Sequence, residues 1–404
     1  MLVAGASIAG PALAHWLHRR GAEVAVVERA PGLRPGGQAV DARGVTREVI
    51  RRMGLDAAVR AARTETAGAY TVDVDGKVLE TYRADDDGGD GYISEIEILR
   101  GDLSRVLHDD TRDGVEYIFG DRIAGLAQDA DGVDVAFAGG DRRRFDLVVG
   151  ADGLHSALRA MVFGPHERFV RHLGHVMAFY TVPNEFGLDR WLIDYQESGS
   201  GRSAGLRPIQ DATRAMAMFS FPAAGLDVDY RDVAAQKRLL RERMAGLGWL
   251  APRILAHLDH TPDFYLDQVA QVVMDRWSSG RVGLLGDAAF SSSPLSGQGT
   301  GLALVGAYLL AGELAAAGWD PEAGFAGYER RMRSFVEANQ EIGRLHARSR
   351  DASGPDAEPS PDFHAGWFTE LIERALNGAE LPDYVGVPDS GAPAGPPVTS
   401  PAMS

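Results

Sequence analysis

The chain has 404 residues, 45% of them hydrophobic, a formal net charge of −16 and no cysteine. That length is generous for one core and points to two domains. The acidic balance argues against nucleic acid, the missing cysteines exclude disulfides and thiolate chemistry, and no apolar run reaches the roughly 18 residues of a membrane span.

The N terminus lacks the basic region of a secretory signal, so a cytoplasmic protein is expected, with no nucleic acid or membrane partner. Leu2–Ala4 reads as a buried strand running into Gly5-Ala6-Ser7-Ile8-Ala9-Gly10. Pro11 to Arg20 carry helical spacing, Gly21 stops the helix, and Glu23–Val27 forms a second apolar strand ending at Glu28. This order is the β-α-β dinucleotide fingerprint with one departure, Ser7 in place of the middle glycine. Gly5 permits the turn out of the strand, and Gly10 lets the helix lie close to the sheet. Ser7, Ile8 and Ala9, at the helix start, would offer backbone N–H groups and a positive dipole end to a diphosphate. Glu28 follows Gly5 near the expected spacing of about 20 for a carboxylate that binds a ribose hydroxyl. An acid there fits the ribose of FAD or NAD and repels the 2′-phosphate of NADP.

Residues 31–45, rich in Gly, Pro and Arg, read as a loop. Thr46–Ala62 returns to helical spacing, 68–83 reads as a hairpin around Asp75-Gly76, and 85–90 as a solvated acidic loop. Ile98–Leu107 opens another helix. Val115–Phe119, Ile123–Asp129 and Val133–Phe137 are expected as a small antiparallel group, and Phe145–Gly150 as a buried strand before Ala151-Asp152-Gly153. From 165 to 275 the texture changes. Short strands at 176–182, 191–195, 203–207 and 214–221 precede a charged helix at 230–246. Trp191, Tyr195, Phe219 and Phe221 are expected as sheet core, and His172, His175, His257 and His260 show no zinc spacing. Arg281–Gly286 is again a buried strand, Gly301–Ala317 an apolar helix and Gly324–Arg350 an amphipathic one. Residues 351–362 read as a linker, Phe363–Ala375 as a short helix, and the chain from 386 on as disordered.

Two later motifs carry chemistry. In Val148-Val149-Gly150-Ala151-Asp152-Gly153-Leu154-His155-Ser156-Ala157-Leu158-Arg159, an acid and a glycine follow a buried strand. In Gly286-Asp287-Ala288-Ala289-Phe290, continued through Pro294 and Gly297-Gln298-Gly299-Thr300-Gly301, a strand ends in an acid and a glycine-rich turn opens a helix. That layout suits a carboxylate on a sugar hydroxyl and backbone N–H groups facing a ring or phosphate.

With these motifs the chain resembles the class A flavoprotein monooxygenases, the group of para-hydroxybenzoate hydroxylase and the tetracycline-inactivating monooxygenases. The resemblance covers residues 1–350 and rests on GASIAG with Glu28, on DGLHSALR, on GDAAFSSSPLSGQGTGLA and on Leu99-Arg100-Gly101-Asp102-Leu103. It implies an α/β fold: a Rossmann-like FAD-binding domain in a three-layer ββα arrangement, an inserted mixed β-sheet substrate domain and C-terminal helices. The implied FAD-binding domain takes residues 1–68, 92–164 and 276–350. The substrate domain takes 69–91 and 165–275, and 351–404 form the linker, short helix and tail.

The resemblance further implies that Gly5, Ser7, Ile8, Ala9 and Gly10 cradle the FAD diphosphate, that Glu28 binds the ribose and that Arg29 flanks the adenine. Gln38, with Gly36 and Gly37, would lie in a loop passing the flavin. Arg100 would reach the ribityl and diphosphate region. Asp152 and Gly153 would serve FAD and NAD(P)H, and Asp287 the ribityl chain. Pro294, Gly297, Gln298, Gly299 and Thr300 would lie beside the isoalloxazine. Ser7, Phe290 and Gly306-Ala307 depart from the family pattern. The implied reaction uses NADPH or NADH and O2 to hydroxylate an aromatic or polycyclic substrate through a flavin C4a-hydroperoxide. Ring-oxygen insertion, epoxidation, or an oxidase or dehydrogenase reaction stay open, as does monomer against homodimer. Pattern assigns no metal and no side-chain base.

Overall fold

The computed structural model describes residues 1–384 apart from 35, 85–89, 92, 225, 227, 228, 230, 262 and 352–365. The expected tail from 386 lies outside these residues, as do the acidic loop apart from Asp90 and the linker apart from residue 351. Asp90 pairs with Arg47.

Leu2–Ala4 lies inside a six-stranded sheet whose order is Ser278–Ser279, Val282–Leu284, Val148–Gly150, Leu2–Ala4, Ala25–Glu28, Glu116–Phe119. Five of these strands run parallel and only Ser278–Ser279 is antiparallel. Parallel strands covered on both faces read as unbroken apolar runs, and Leu2, Val3, Val148, Val282 and Leu284 are all buried. Registers Val3↔Val149 and Val149↔Gly283 bring the ends of three strands to one edge. Each of those strands leads into one of the sequence motifs.

Four expectations change here. Val115–Phe119 does not join the antiparallel group; Glu116–Phe119 extends the parallel sheet beside Ala25–Glu28. The single strand expected at Phe145–Gly150 is two. Arg142–Phe145 completes a three-stranded antiparallel sheet with Ile123–Gln128 and Val133–Phe137, and Val148–Gly150 enters the parallel sheet. The helix expected over Thr46–Ala62 breaks into Val45–Met53 and Asp56–Ala61, because Gly54 takes the left-handed conformation at φ 80° and ends the first piece. The helix expected from Ile98 starts at Arg100, since Glu97–Leu99 pairs as a strand with Ala39–Asp41.

The second body is a seven-stranded sheet ordered Tyr265–Val272, Val170–Pro183, Arg214–Pro222, Ser203–Pro208, Trp191–Gln196, Gly68–Val72, Val78–Arg83. The hairpin from early in the chain is therefore its outer edge. One face packs under helices Val233–Arg243 and Ala251–Ala256 through Val176, Tyr180, Tyr195, Phe219, Phe221, Leu240 and Ile254. Tyr195, Phe219 and Phe221 are core, as expected, while Trp191 stacks on Tyr70 at 4.4 Å.

Gly299–Ala316 is an 18-residue helix long and apolar enough to cross a membrane, contrary to the sequence expectation, but 78% of it is buried inside the protein. It packs against Ala9–Arg19 and the long helix Pro321–Asp351. Helix Gly366–Asn377 covers the latter, with Asn339 Nδ2 donating to the Ala375 carbonyl at 3.0 Å. The segment after it returns to the core helix. A Cβ at Gly312 would lie 2.1 Å from the Tyr384 ring, whose hydroxyl donates to Glu313 Oε1 at 2.9 Å. Arg20 lies over the same ring at 5.5 Å.

Candidate functional site

The first motif is a matter of backbone clearance. Gly5 has φ +109°, and a Cβ there would sit 2.4 Å from the Ala151 carbonyl oxygen. A Cβ at Gly10 would sit 1.9 Å from the Gly5 carbonyl oxygen. The turn, the helix start and the neighbouring strand end thus meet where no side chain fits. Glu28 closes the turn: its carboxylate accepts from Ala6 N at 3.0 Å and Ala30 N at 2.9 Å. Ser104 Oγ donates to the Ser7 carbonyl at 3.0 Å, a tie that sequence pattern did not reveal.

Ala6, Ser7, Glu28, Arg34, Arg100 and Ser104 line one small cavity. The loop at 36–38 runs against the start of the Arg100 helix, with Arg100 N donating to Gln38 O at 3.0 Å and Gly101 N to Gly36 O at 2.8 Å. The two acids nearest Arg100 in sequence are engaged elsewhere. Asp102 pairs with Arg105 at 2.9 Å, and Glu97 Oε1 accepts from Thr64 and Thr66 hydroxyls at 2.7 Å each. Burial lowers the Arg100 pKa, and Arg34 lowers it further, against the pull of Tyr265, Asp287 and Glu28.

The other motifs join through Arg159. Its guanidinium is fully buried and donates to Ala288 O at 2.9 Å and Leu154 O at 2.6 Å. Asp152 turns toward its own helix: it accepts from Ser156 Oγ at 2.5 Å and from Ala157 N at 2.8 Å, capping Ala157–Phe163. Burial raises its pKa against these bonds. Asp287 is exposed, although the residues on either side of it, 282–286 and 288–293, are buried. That combination marks the wall of an interior cleft. Burial raises its pKa, opposed by Ser291, Arg100 and Arg159. Gly299, the first residue of the core helix, lies beside it: a Cβ there would be 3.9 Å from Asp287 Oδ1. Pro294 and Gly297 are exposed, Gln298 and Thr300 are buried, and Gln298 Oε1 is buried with no hydrogen-bond partner among the described residues. Arg29 points outward and is exposed. Gly153, at φ 83°, turns the chain after Asp152.

Between the two bodies lies an apolar seam. Leu99 and Leu295 pack with Met177, Phe179, Met216 and Val269 of the seven-stranded sheet, and Ala39 and Met218 flank them. At its end Asp41 and Glu97 are cross-strand partners; Arg43 pairs with Asp41 at 3.0 Å, and Arg207 lies 3.4 Å from Glu97. Burial pushes the Asp41 carboxyl up to about 6 against the pull of Arg43, with Glu97 adding to the rise. Sequence pattern gave no sign of this polar end, because its members come from three separated strands.

The FAD binding domain family matches residues 1–341. A protein of Mycobacterium tuberculosis (strain H37Rv) is 48% identical over 95% of this chain and 99% of its own. A flavin-dependent monooxygenase of Legionella longbeachae is 37% identical over 95% of this chain and 98% of its own. The crystal structure of tetracycline destructase Tet(55) superposes with a TM-score of 0.83 at 37% identity, covering 95% of this chain and 98% of that one. Glycine-tight strand ends, an exposed acid among buried neighbours and full-length similarity agree: the chain belongs to the FAD-binding class A flavoprotein monooxygenases.

Proposed function

We propose that this flavin-dependent monooxygenase uses NAD(P)H and O2 to oxygenate an electron-rich aromatic or polycyclic substrate held on the apolar seam. The observation that carries the reading is the meeting of Leu99 and Leu295, from the cofactor body, with Met177, Phe179, Met216 and Met218 of the sheet. Methionine and phenylalanine present polarizable surface to a planar ring. The residues fit FAD. Glu28 would take the ribose, the Gly5–Gly10 turn the diphosphate, and Asp287 with Arg100 the ribityl chain. The Pro294–Gly299 turn would flank the ring.

When bound, FAD accepts hydride from NAD(P)H and delivers activated oxygen. The chain's part is placement and dryness. The seam keeps bulk water from the reacting centre, and the Asp41–Arg43–Glu97–Arg207 group offers donors and acceptors to a polar end of the substrate. Arg100 balances charge near the ring. The cysteine-free chain suits a reducing compartment.

A screen of phenolic and polycyclic compounds for stimulated NAD(P)H oxidation tests this, with products analysed for label from 18O2. Labelled product is expected. Stimulated turnover with unlabelled product and stoichiometric peroxide would point to an oxidase reaction instead.

A further inference from the structure

We propose that Tyr265 is a wall of the cofactor cleft, with its hydroxyl fixed by Asp267 and His155, so that the DGLHSALR segment bears on the flavin through the seven-stranded sheet. This rests on the flavin-binding reading above. Tyr265 opens the edge strand Tyr265–Val272 and is 45% exposed, although the next two residues of the strand, Leu266 and Asp267, are buried. An exposed aromatic ring among buried neighbours offers a surface for a ligand to cover. The loop of the cofactor body lies against the start of that strand. A Cβ at Gly36 would be 3.1 Å from Asp263 Oδ2, and one at Gly37 would be 3.5 Å from Arg100 Cβ. The charged groups that act on the Tyr265 hydroxyl are Asp267, Arg100 and Asp287. Two of these three are the residues placed on the flavin's ribityl chain.

The hydroxyl donates to Asp267 Oδ2 at 3.2 Å, and His155 Nε2 lies 2.7 Å from the same oxygen. Asp267 Oδ1 accepts from Gln268 N at 2.8 Å. Both carboxylate oxygens therefore accept from donors, which keeps the Tyr265 O–H pointed at Asp267 and leaves the phenol oxygen's lone pairs for the cleft. His155 is fixed in turn by stacking on His166, with ring centroids 5.4 Å apart and planes 15° from parallel. Arg159 donates to His166 Nδ1 at 2.9 Å. Tyr265 thus contacts the ligand, and Asp267 and His155 are positioning residues.

Fluorescence of the bound flavin reads this placement. A tyrosine touching the ring quenches it by donating an electron to the excited state, and phenylalanine does not. Tyr265→Phe is expected to keep a folded, flavin-loaded protein with fluorescence raised several-fold and a shifted flavin absorbance. Asp267→Asn and His155→Gln keep side-chain shape and are expected to give smaller rises. The His155→Gln change should add little once Tyr265 is phenylalanine. Unchanged flavin spectra in Tyr265→Phe, or a His155→Gln effect that persists in full in the double variant, overturns the proposal. Wild-type protein that takes up no flavin overturns the parent reading and this one together. Normal uptake with unaltered variants overturns this one alone.

Discussion

The parallel-sheet body and the seven-stranded body are built on different constraints. In the first, backbone meets backbone: Gly5 and Gly10 sit where a Cβ would fall within 2.4 Å of a carbonyl oxygen. In the second, side chains meet side chains, and Met177, Phe179 and Met216 form a surface that many apolar residues could build. A close backbone approach admits one residue type and leaves a motif in the sequence. A packed face tolerates substitutions of similar volume and leaves none. The strand ends of the parallel-sheet body are therefore narrow in what they accept, and the packed face of the seven-stranded body accepts more.

The largest effect that would break this contrast is at Gly10. Gly10→Ala is expected to remove the holoenzyme, or to lower stability by about 3 kcal/mol or more, because the clash is with backbone that cannot rotate away. Thermal melts and flavin content check it, and a normal, yellow protein would show that clearance does not shape this body. Asp287→Ala comes next. Most of the flavin should be lost on gel filtration while the fold persists, since the carboxylate faces an open cleft; full retention would remove Asp287 from the cofactor site. Met218→Ala, at the half-buried flank of the seam, should leave flavin content unchanged and raise the substrate KM by about tenfold, from the loss of an apolar contact of one to two kcal/mol. A fall in flavin content instead would erase the division between the bodies.

The smallest effect belongs to an exposed ion pair of the first body. Arg51 and Arg52 hold the Glu48 carboxyl down to about 2 through hydrogen bonds. A depressed carboxyl pKa stabilises the fold above the unfolded value and loses that contribution as pH falls toward the folded one. The groups are largely solvated, so Glu48→Gln should cost at most about 0.5 kcal/mol at pH 7 and nothing near pH 2. Urea midpoints at the two pH values measure it.

What the sequence disclosed follows the same division. The fingerprint, the two later motifs and Arg100 were legible because each marks a strand end with restricted backbone. Tyr265 and Asp267 were not. The strand Tyr265–Val272 carries Asp267, Gln268 and Gln271, polar residues whose partners come from distant segments, so no alternation of apolar and polar residues announced it. The break at Gly54 was hidden because apolar spacing continues across it into Val59. The strand Glu116–Phe119 resembled its antiparallel neighbours in composition, and only pairing with Ala25–Glu28 distinguishes it.

The seat of Tyr384 against Gly312 has a consequence for how the molecule is made. Arg20, which ends the helix Ala9–Arg19, and Glu313, on the core helix, both close on a ring that lies more than 60 residues after the latter. Until that ring arrives, a slot in the most apolar helix of the protein stands open to water. A chain cut short of Tyr384 would leave that slot unfilled and deprive Arg20 and Glu313 of the ring they share.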